Sequence, residues 1–250
     1  MLNIEGDGSA ICMIETKDKK RKKIIYVDDK DESMHPFCDF QCNPEEKLQQ
    51  IFDPKKERSI FYLTGASGSG KSYYASGLAQ QYSKQYPNND IYLFSAVKTD
   101  AILDKLKKLM RIDFKKFMEQ EIDIEDFKDS LVIYDDCDSL PDKNIKKKVI
   151  SLQDRILQEG RHHSISCIIT SHLSCAGKET KMILSEAHSI TFYPMSLQGR
   201  NLKYLLEQYM GLDRTQIAKI KKIKSRWITF CKTMPQVILS EKEIYVLNCE

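Results

Sequence analysis

The octapeptide Gly65-Ala66-Ser67-Gly68-Ser69-Gly70-Lys71-Ser72 constrains this chain more than any other feature. It follows the apolar run Ile60-Phe61-Tyr62-Leu63 and precedes a helix-compatible stretch, so it fits G-x-x-x-x-G-K-[ST] in the strand-loop-helix context the pattern needs. Its glycines let the backbone curl until successive N–H groups face phosphate oxygens, and the following helix adds its positive end. Lys71 is then placed to reach the β- and γ-phosphates, and the Ser72 hydroxyl to hold Mg²⁺. The expectation is a site for ATP and Mg²⁺ built from Gly65 to Ser72. A glycine-rich turn with a chance Lys-Ser is the bland alternative, and the flanking strand and helix weigh against it.

With 250 residues the chain can hold one α/β domain of ordinary size with a small appendage. Hydrophobic residues make up 41% and charged residues 30%, and no apolar run reaches the length of a membrane helix, so a soluble globular protein is expected. The opening Met1-Leu2-Asn3-Ile4-Glu5-Gly6-Asp7 lacks the basic start and apolar core of a signal peptide, which points to a reducing compartment. Eight cysteines scattered over a full-sized domain favour free thiols over a disulfide framework. His35, Cys38 and Cys42 are close enough in sequence to invite a zinc reading, but without a second Cys/His pair a structural loop is favoured. The net charge of +3 does not by itself imply nucleic acid. Basic clusters at 17–23, 143–148 and 219–226 are each read as solvated surface or as phosphate contacts.

Along the chain, 10–15 and 23–28 read as an N-terminal β-hairpin or two edge strands, and 29–43 as a linker. Pro44-Glu45-Glu46 reads as the start of a short helix to about Phe52. Strands at 59–63, 91–95, 130–134 and 165–169 alternate with helices at 72–86 and 143–159, and 99–127 carries two or three short helices. This alternation predicts an α/β fold with a mainly parallel central sheet flanked by helices, plus the N-terminal hairpin and a small C-terminal extension. The domain plan is a hairpin and linker over 1–43 and a P-loop domain with its extension over 44–250.

Leu131-Val132-Ile133-Tyr134-Asp135-Asp136 is an apolar strand ending in two acids, the Walker B arrangement. A parallel sheet presents its carboxyl ends to one crevice, so Asp135 is a candidate for the Mg²⁺ side and Asp136 for the base or water-orienting group. Asp138 reads as a cap of the next turn. Past Gly160-Arg161-His162-His163-Ser164, the strand 165–169 ends in Thr170-Ser171-His172, where either His172 or Ser171 is placed to sense a γ-phosphate. Arg161 is a candidate arginine finger acting on a neighbouring subunit, with Arg155 and Arg200 as weaker rivals. In 214–224, Ile217, Ile220 and Ile223 form an apolar stripe with lysines outside it.

The combination of Gly65 to Ser72, Leu131 to Asp136, and Gly160-Arg161-His162-His163-Ser164-Ile165 running to Thr170-Ser171-His172 resembles the FtsK–HerA superfamily of ring-forming DNA-pumping ATPases. Within it, the chain looks most like the genome-packaging ATPases of nucleocytoplasmic large DNA viruses. The likeness covers roughly residues 45 to 195. It implies a homo-oligomeric ring that hydrolyses ATP to move double-stranded DNA, with a capsid or portal protein as a further partner and a place in the host cytoplasm or the virion. By resemblance Lys71 and Ser72 bind phosphate and Mg²⁺, Asp135 is the metal-side acid, Asp136 stands where Glu is common, and His172 stands where the bacterial translocases carry Gln. Two other readings stay open: a P-loop small-molecule kinase, and an ATP-binding switch with little turnover. The segment 173–178 makes a poor kinase lid, whereas the short Asp136 is compatible with a switch.

Overall fold

The structure is a computed structural model that describes residues 1–16, 22–29, 36–175, 177–196 and 199–249. Most of the basic cluster at 17–23, and His35 of the possible zinc cluster, lie outside the described residues. The chain divides into two compact units, one made of Met1–Lys56 with His188–Glu250, the other of Glu57–Ala187.

The first unit begins with strands β1 (Leu2–Asn3), β2 (Ser9–Thr16), β3 (Lys22–Val27), β4 (Asp39–Gln41) and β5 (Glu46–Gln50). β2 and β3 pair antiparallel, which is the expected hairpin, and β5 pairs antiparallel along the other edge of β2. β5 occupies the place where a helix was expected. The acids after Pro44 mimic a helix start, but Leu48 and Gln50 are buried alternately, and that two-residue period suits a strand facing a core.

The second unit carries β6 (Ile60–Thr64), α1 (Lys71–Gln85), β7 (Ile91–Ser95), β8 (Leu109–Arg111), α2 (Phe114–Glu119), β9 (Leu131–Asp135), α3 (Lys143–Glu159), β10 (Ser166–Ser171) and α4 (Lys178–Glu186). Its strands run parallel in the order β6-β10-β9-β7-β8. β6, β9 and β10 are buried at every residue, as a sheet covered on both faces demands. α3 matches its expected span and is capped by Asp142, whose carboxylate accepts from the Asn144 and Ile145 amides. At its far end the buried Arg58 donates to the carbonyls of Ile156 and Leu157, so the orphan end of the helix is satisfied by a guanidinium. The short strand β8 lies within the stretch read as helical.

The first unit resumes with β11 (Ser189–Phe192), α5 (Gly199–Tyr204), a π-helical turn (Leu205–Tyr209), α6 (Arg214–Lys222), β12 (Ile228–Cys231), β13 (Val237–Ser240) and β14 (Glu243–Val246). β11 to β14 form an antiparallel meander that β4 joins at β14. Its core packs Ile11, Ile25 and Leu48 against Val237, Leu239 and Ile244. α6 buries Ile217 and Ile220 of the expected stripe, whereas Ile223, the residue after the helix, is half-buried; Lys219 stacks its ammonium 3.9 Å from the Tyr245 ring centre. Cys38 and Cys249 are joined in a disulfide, which corrects the expectation of free thiols for this pair. The pairing of β4 with β14 brings the two together across 211 residues of sequence, a proximity that spacing alone does not reveal. The other six cysteines are free.

Candidate nucleotide site

The loop from Gly65 to Gly70 leaves the carboxyl end of β6 and enters α1 directly at Lys71. Gly68 has φ +75° and Gly70, the residue before the helix, has φ +113°, backbone conformations that side chains disfavour. No Cβ clash arises at Gly68, so the conformation rather than crowding demands glycine there. Its first turn holds no acid, which leaves the helix's positive end for an anion. The loop is anchored by the Gly65 amide donating to the Ser171 carbonyl at the end of β10, at 3.1 Å.

Lys71 is buried and donates to the Gly65 carbonyl at 2.9 Å. Its Nζ also lies 3.2 Å from His172 Nδ1 and 3.6 Å from Asp136 Oδ1. His172 Nε2 lies 2.9 Å from Asp136 Oδ2. The loop lysine, the acid that follows β9 and the residue that follows β10 thus form one closed triangle. Asp136 has φ +47°, a left-handed conformation that Asp tolerates better than most residues, and it turns the carboxylate out of the strand line.

Asp135 stays inside the sheet edge, 4% exposed. Its Oδ2 accepts from Ser95 Oγ and its Oδ1 from Thr170 Oγ1, both at 2.9 Å. Burial, and then the charge of Asp136, push the Asp135 carboxyl above the usual carboxylate range, while these two hydroxyls pull against that shift. Thr170 Oγ1 also accepts from the Asp136 amide at 3.0 Å and lies 3.2 Å from Asp136 Oδ1. One hydroxyl therefore positions both acids. Neither Thr170 nor Ser95 was singled out by the sequence, although Thr170 stands in the tripeptide that contains His172. Ser171, the rival of His172, points its hydroxyl at Asp138 Oδ2 instead, at 2.8 Å.

Mg²⁺ favours a few hard oxygen ligands with water and phosphate completing its shell. The oxygens of Ser72 and Asp135 fit that sparse donor set, and no cluster of three or more His, Cys, Asp or Glu able to cage a metal occurs among the described residues.

Arg161 lies apart from this group. It precedes β10 at the amino end of the strand, whereas Thr170 and His172 are at the carboxyl end, so a strand of roughly 17 Å separates it from its own loop. Its Nε donates to Glu57 Oε2 at 2.7 Å in an exposed pair that holds the Glu57 carboxyl low. Arg155 donates to Asp123, and Arg200 stands on α5 of the first unit.

Among known proteins, "Uncharacterized protein V3" of Sputnik virophage is 35% identical over 242 residues, 96% of each chain. No protein-family model matches the chain. The crystal structure of B204, the DNA-packaging ATPase of Sulfolobus turreted icosahedral virus, superposes with a TM-score of 0.51 at 16% identity, covering 76% of this chain and 97% of that one. The cytoplasmic domain of the type VII secretion ATPase EccC from Thermomonospora curvata superposes with a TM-score of 0.52 at 11% identity, covering 85% of this chain and 29% of that one. The α/β architecture expected from the motifs is the one these structures share. The chain belongs to the same family as Sputnik virophage protein V3, and it shares its fold with B204 and the EccC cytoplasmic domain.

Proposed function

We propose that this protein hydrolyses ATP to drive double-stranded DNA through a homo-oligomeric ring, and that its task is to package a viral genome into a capsid. The observation that carries the ATPase reading is the closed triangle of Lys71, Asp136 and His172 at the mouth of the phosphate loop. Similarity in fold to a DNA-packaging ATPase, and a virophage relative, support the packaging part.

Lys71 is held by Gly65, His172 and Asp136. Incoming β- and γ-phosphates offer stronger acceptors, so the ammonium swings to them and releases one oxygen of Asp136. Asp136 remains oriented by His172 and by the hydrogen bond that its backbone N–H donates to Thr170 Oγ1, and can accept a proton from the attacking water. Ser72 and Asp135 are the residues that would hold Mg²⁺, which supplies neutralisation of phosphate charge when bound. Arg161 is out of reach of its own loop, so as a finger it would serve a neighbour's γ-phosphate, exchanging Glu57 for that anion. Neither a kinase reading nor a silent switch finds a comparable observation in its favour.

Phosphate release measured with and without duplex DNA tests the proposal. Turnover that rises on adding DNA supports the motor. Phosphoryl transfer to a metabolite would instead identify a kinase, and tight ATP binding with negligible turnover a switch.

A further inference from the structure

Ser171 closes β10 and is buried. Side chains alternate along a strand, so its hydroxyl leaves the side on which Thr170 holds Asp135 and Asp136. It meets Asp138 instead, on the short turn Cys137–Ser139 past β9. Two acceptors lie within reach of the single Ser171 hydroxyl proton: Asp138 Oδ2 at 2.8 Å and the Leu173 carbonyl at 3.1 Å. The carboxylate oxygen is the closer and stronger acceptor, and the carbonyl already accepts from the Tyr62 hydroxyl at 2.7 Å. Burial pushes the Tyr62 phenol pKa up, so that partner stays a neutral donor. The Ser171 proton therefore goes to Asp138, and Ser171 Oγ is left to accept from the Leu173 N–H at 3.1 Å. Donation on one side of a hydroxyl strengthens acceptance on the other.

The consequence falls on His172, because both peptide groups that flank it are pinned. The Ser171 carbonyl accepts from the Gly65 amide at 3.1 Å, and the Leu173 N–H is held by Ser171 Oγ. With both peptide planes fixed, the direction of the His172 Cβ is fixed, and only the side-chain torsions remain. We propose that Ser171, oriented by Asp138, is a positioning residue that aims the His172 imidazole between Lys71 and Asp136. Gly65 opens the phosphate loop, so the peptide before His172 also ties the loop to the imidazole. The effect on turnover rests on the proposed ATPase function; the effect on the imidazole does not.

The imidazole nitrogen shifts of His172 in the nucleotide-free full chain, assigned by their loss in His172→Gln, read the orientation in mildly alkaline buffer. The unaltered protein should show one tautomer, and Ser171→Ala should draw the two nitrogen shifts together as tautomers mix. Ser171→Thr keeps the hydroxyl and should restore them, while Asp138→Asn, a weaker acceptor, should give an intermediate result. In hydrolysis, Ser171→Ala should lower kcat about three- to tenfold with KM within about twofold of normal. In a His172→Ala background the same change should cost nothing more, since the group it aims is gone. Asp142→Ala, which uncaps α3 and lowers stability by another route, should leave kcat and both shifts unchanged. Unmoved shifts in Ser171→Ala, an undiminished cost in the His172→Ala background, or no rescue by threonine would overturn the proposal and leave Ser171 a structural residue. Where the variants do not fold, the unaltered protein decides: its Leu173 amide should exchange hydrogen at least about tenfold more slowly than in an unfolded chain, and free exchange there overturns the relay. Absence of ATP hydrolysis in the unaltered protein would remove the proposed function, and the nitrogen shifts alone would then decide the positioning.

Discussion

His172 bridges Lys71 and Asp136: its Nδ1 lies 3.2 Å from the lysine ammonium and its Nε2 lies 2.9 Å from the aspartate. An ammonium can only donate, so Nδ1 accepts from Lys71 and the proton sits on Nε2, where it points at Asp136. Asp136→Asn should therefore leave ATP bound within about threefold of normal while lowering kcat by about 10² to 10⁴. His172→Ala should cost less, about tenfold in kcat, and His172→Gln should recover part of it, because an amide can also accept at one end and donate at the other. Separate measurement of ATP affinity and single-turnover hydrolysis checks the split. Normal turnover in Asp136→Asn would assign the base's work to another group.

Thr170 gives the most specific test of positioning. Its hydroxyl contacts Asp135, Asp136 and the Asp136 amide, so Thr170→Val should lower kcat about ten- to hundredfold with little change in KM and destabilise the fold by about 1–3 kcal/mol. Thr170→Ser keeps the oxygen and should restore most of the rate. If Ser fails to rescue, the threonine acts through packing.

Burial of the Asp135 carboxyl makes its contribution to stability depend on pH. Folding raises its carboxyl pKa above 3.8, so the folded protein holds a proton that the unfolded chain has lost between that value and the raised one. Stability from this group falls as pH climbs through that window and stays lost at neutral pH. Asp135→Asn removes the buried charge and should raise the melting temperature of the nucleotide-free protein by about 2–4 °C at pH 7, with a smaller gain at pH 4, while abolishing Mg²⁺-dependent hydrolysis. A lower melting temperature at pH 7 would show that the Asp135 carboxylate is net stabilising.

How far the sequence could be read depended on whether a feature is local. The phosphate loop, the strand ending in Asp135 and Asp136, and the span of α3 are each set by neighbours in sequence, and each lies where the spacing placed it. The sequence reads β5 as helix because its partner β2 lies thirty or more residues upstream, and cross-strand pairing overrides a local helix signal. The Cys38–Cys249 bond escaped for the same reason. Thr170 was hidden by its chemistry: a threonine in a β-strand is unremarkable until the register sets it opposite Asp135. The distance of Arg161 from its own loop also follows from register, because the strand between them fixes the separation.

That separation makes a prediction about assembly. Arg161→Ala and Asp136→Asn proteins, each inactive alone, should recover part of the ATPase activity when mixed, because some neighbours then pair an intact arginine with an intact acid. Glu57→Gln, which frees the arginine, should leave turnover intact. Lack of rescue in mixed assemblies verified by mass would make Arg161 a structural partner of Glu57.

The central claim is that hydrolysis moves DNA, and displacement of a third strand from a duplex tests it most directly. With ATP and Mg²⁺ the protein should strip a triplex-forming strand from linear duplex DNA; Lys71→Ala protein should not, and neither should wild type supplied with a non-hydrolysable analogue. A protein that binds duplex DNA and hydrolyses ATP, yet releases the third strand no faster with ATP than with the analogue, would contradict the account.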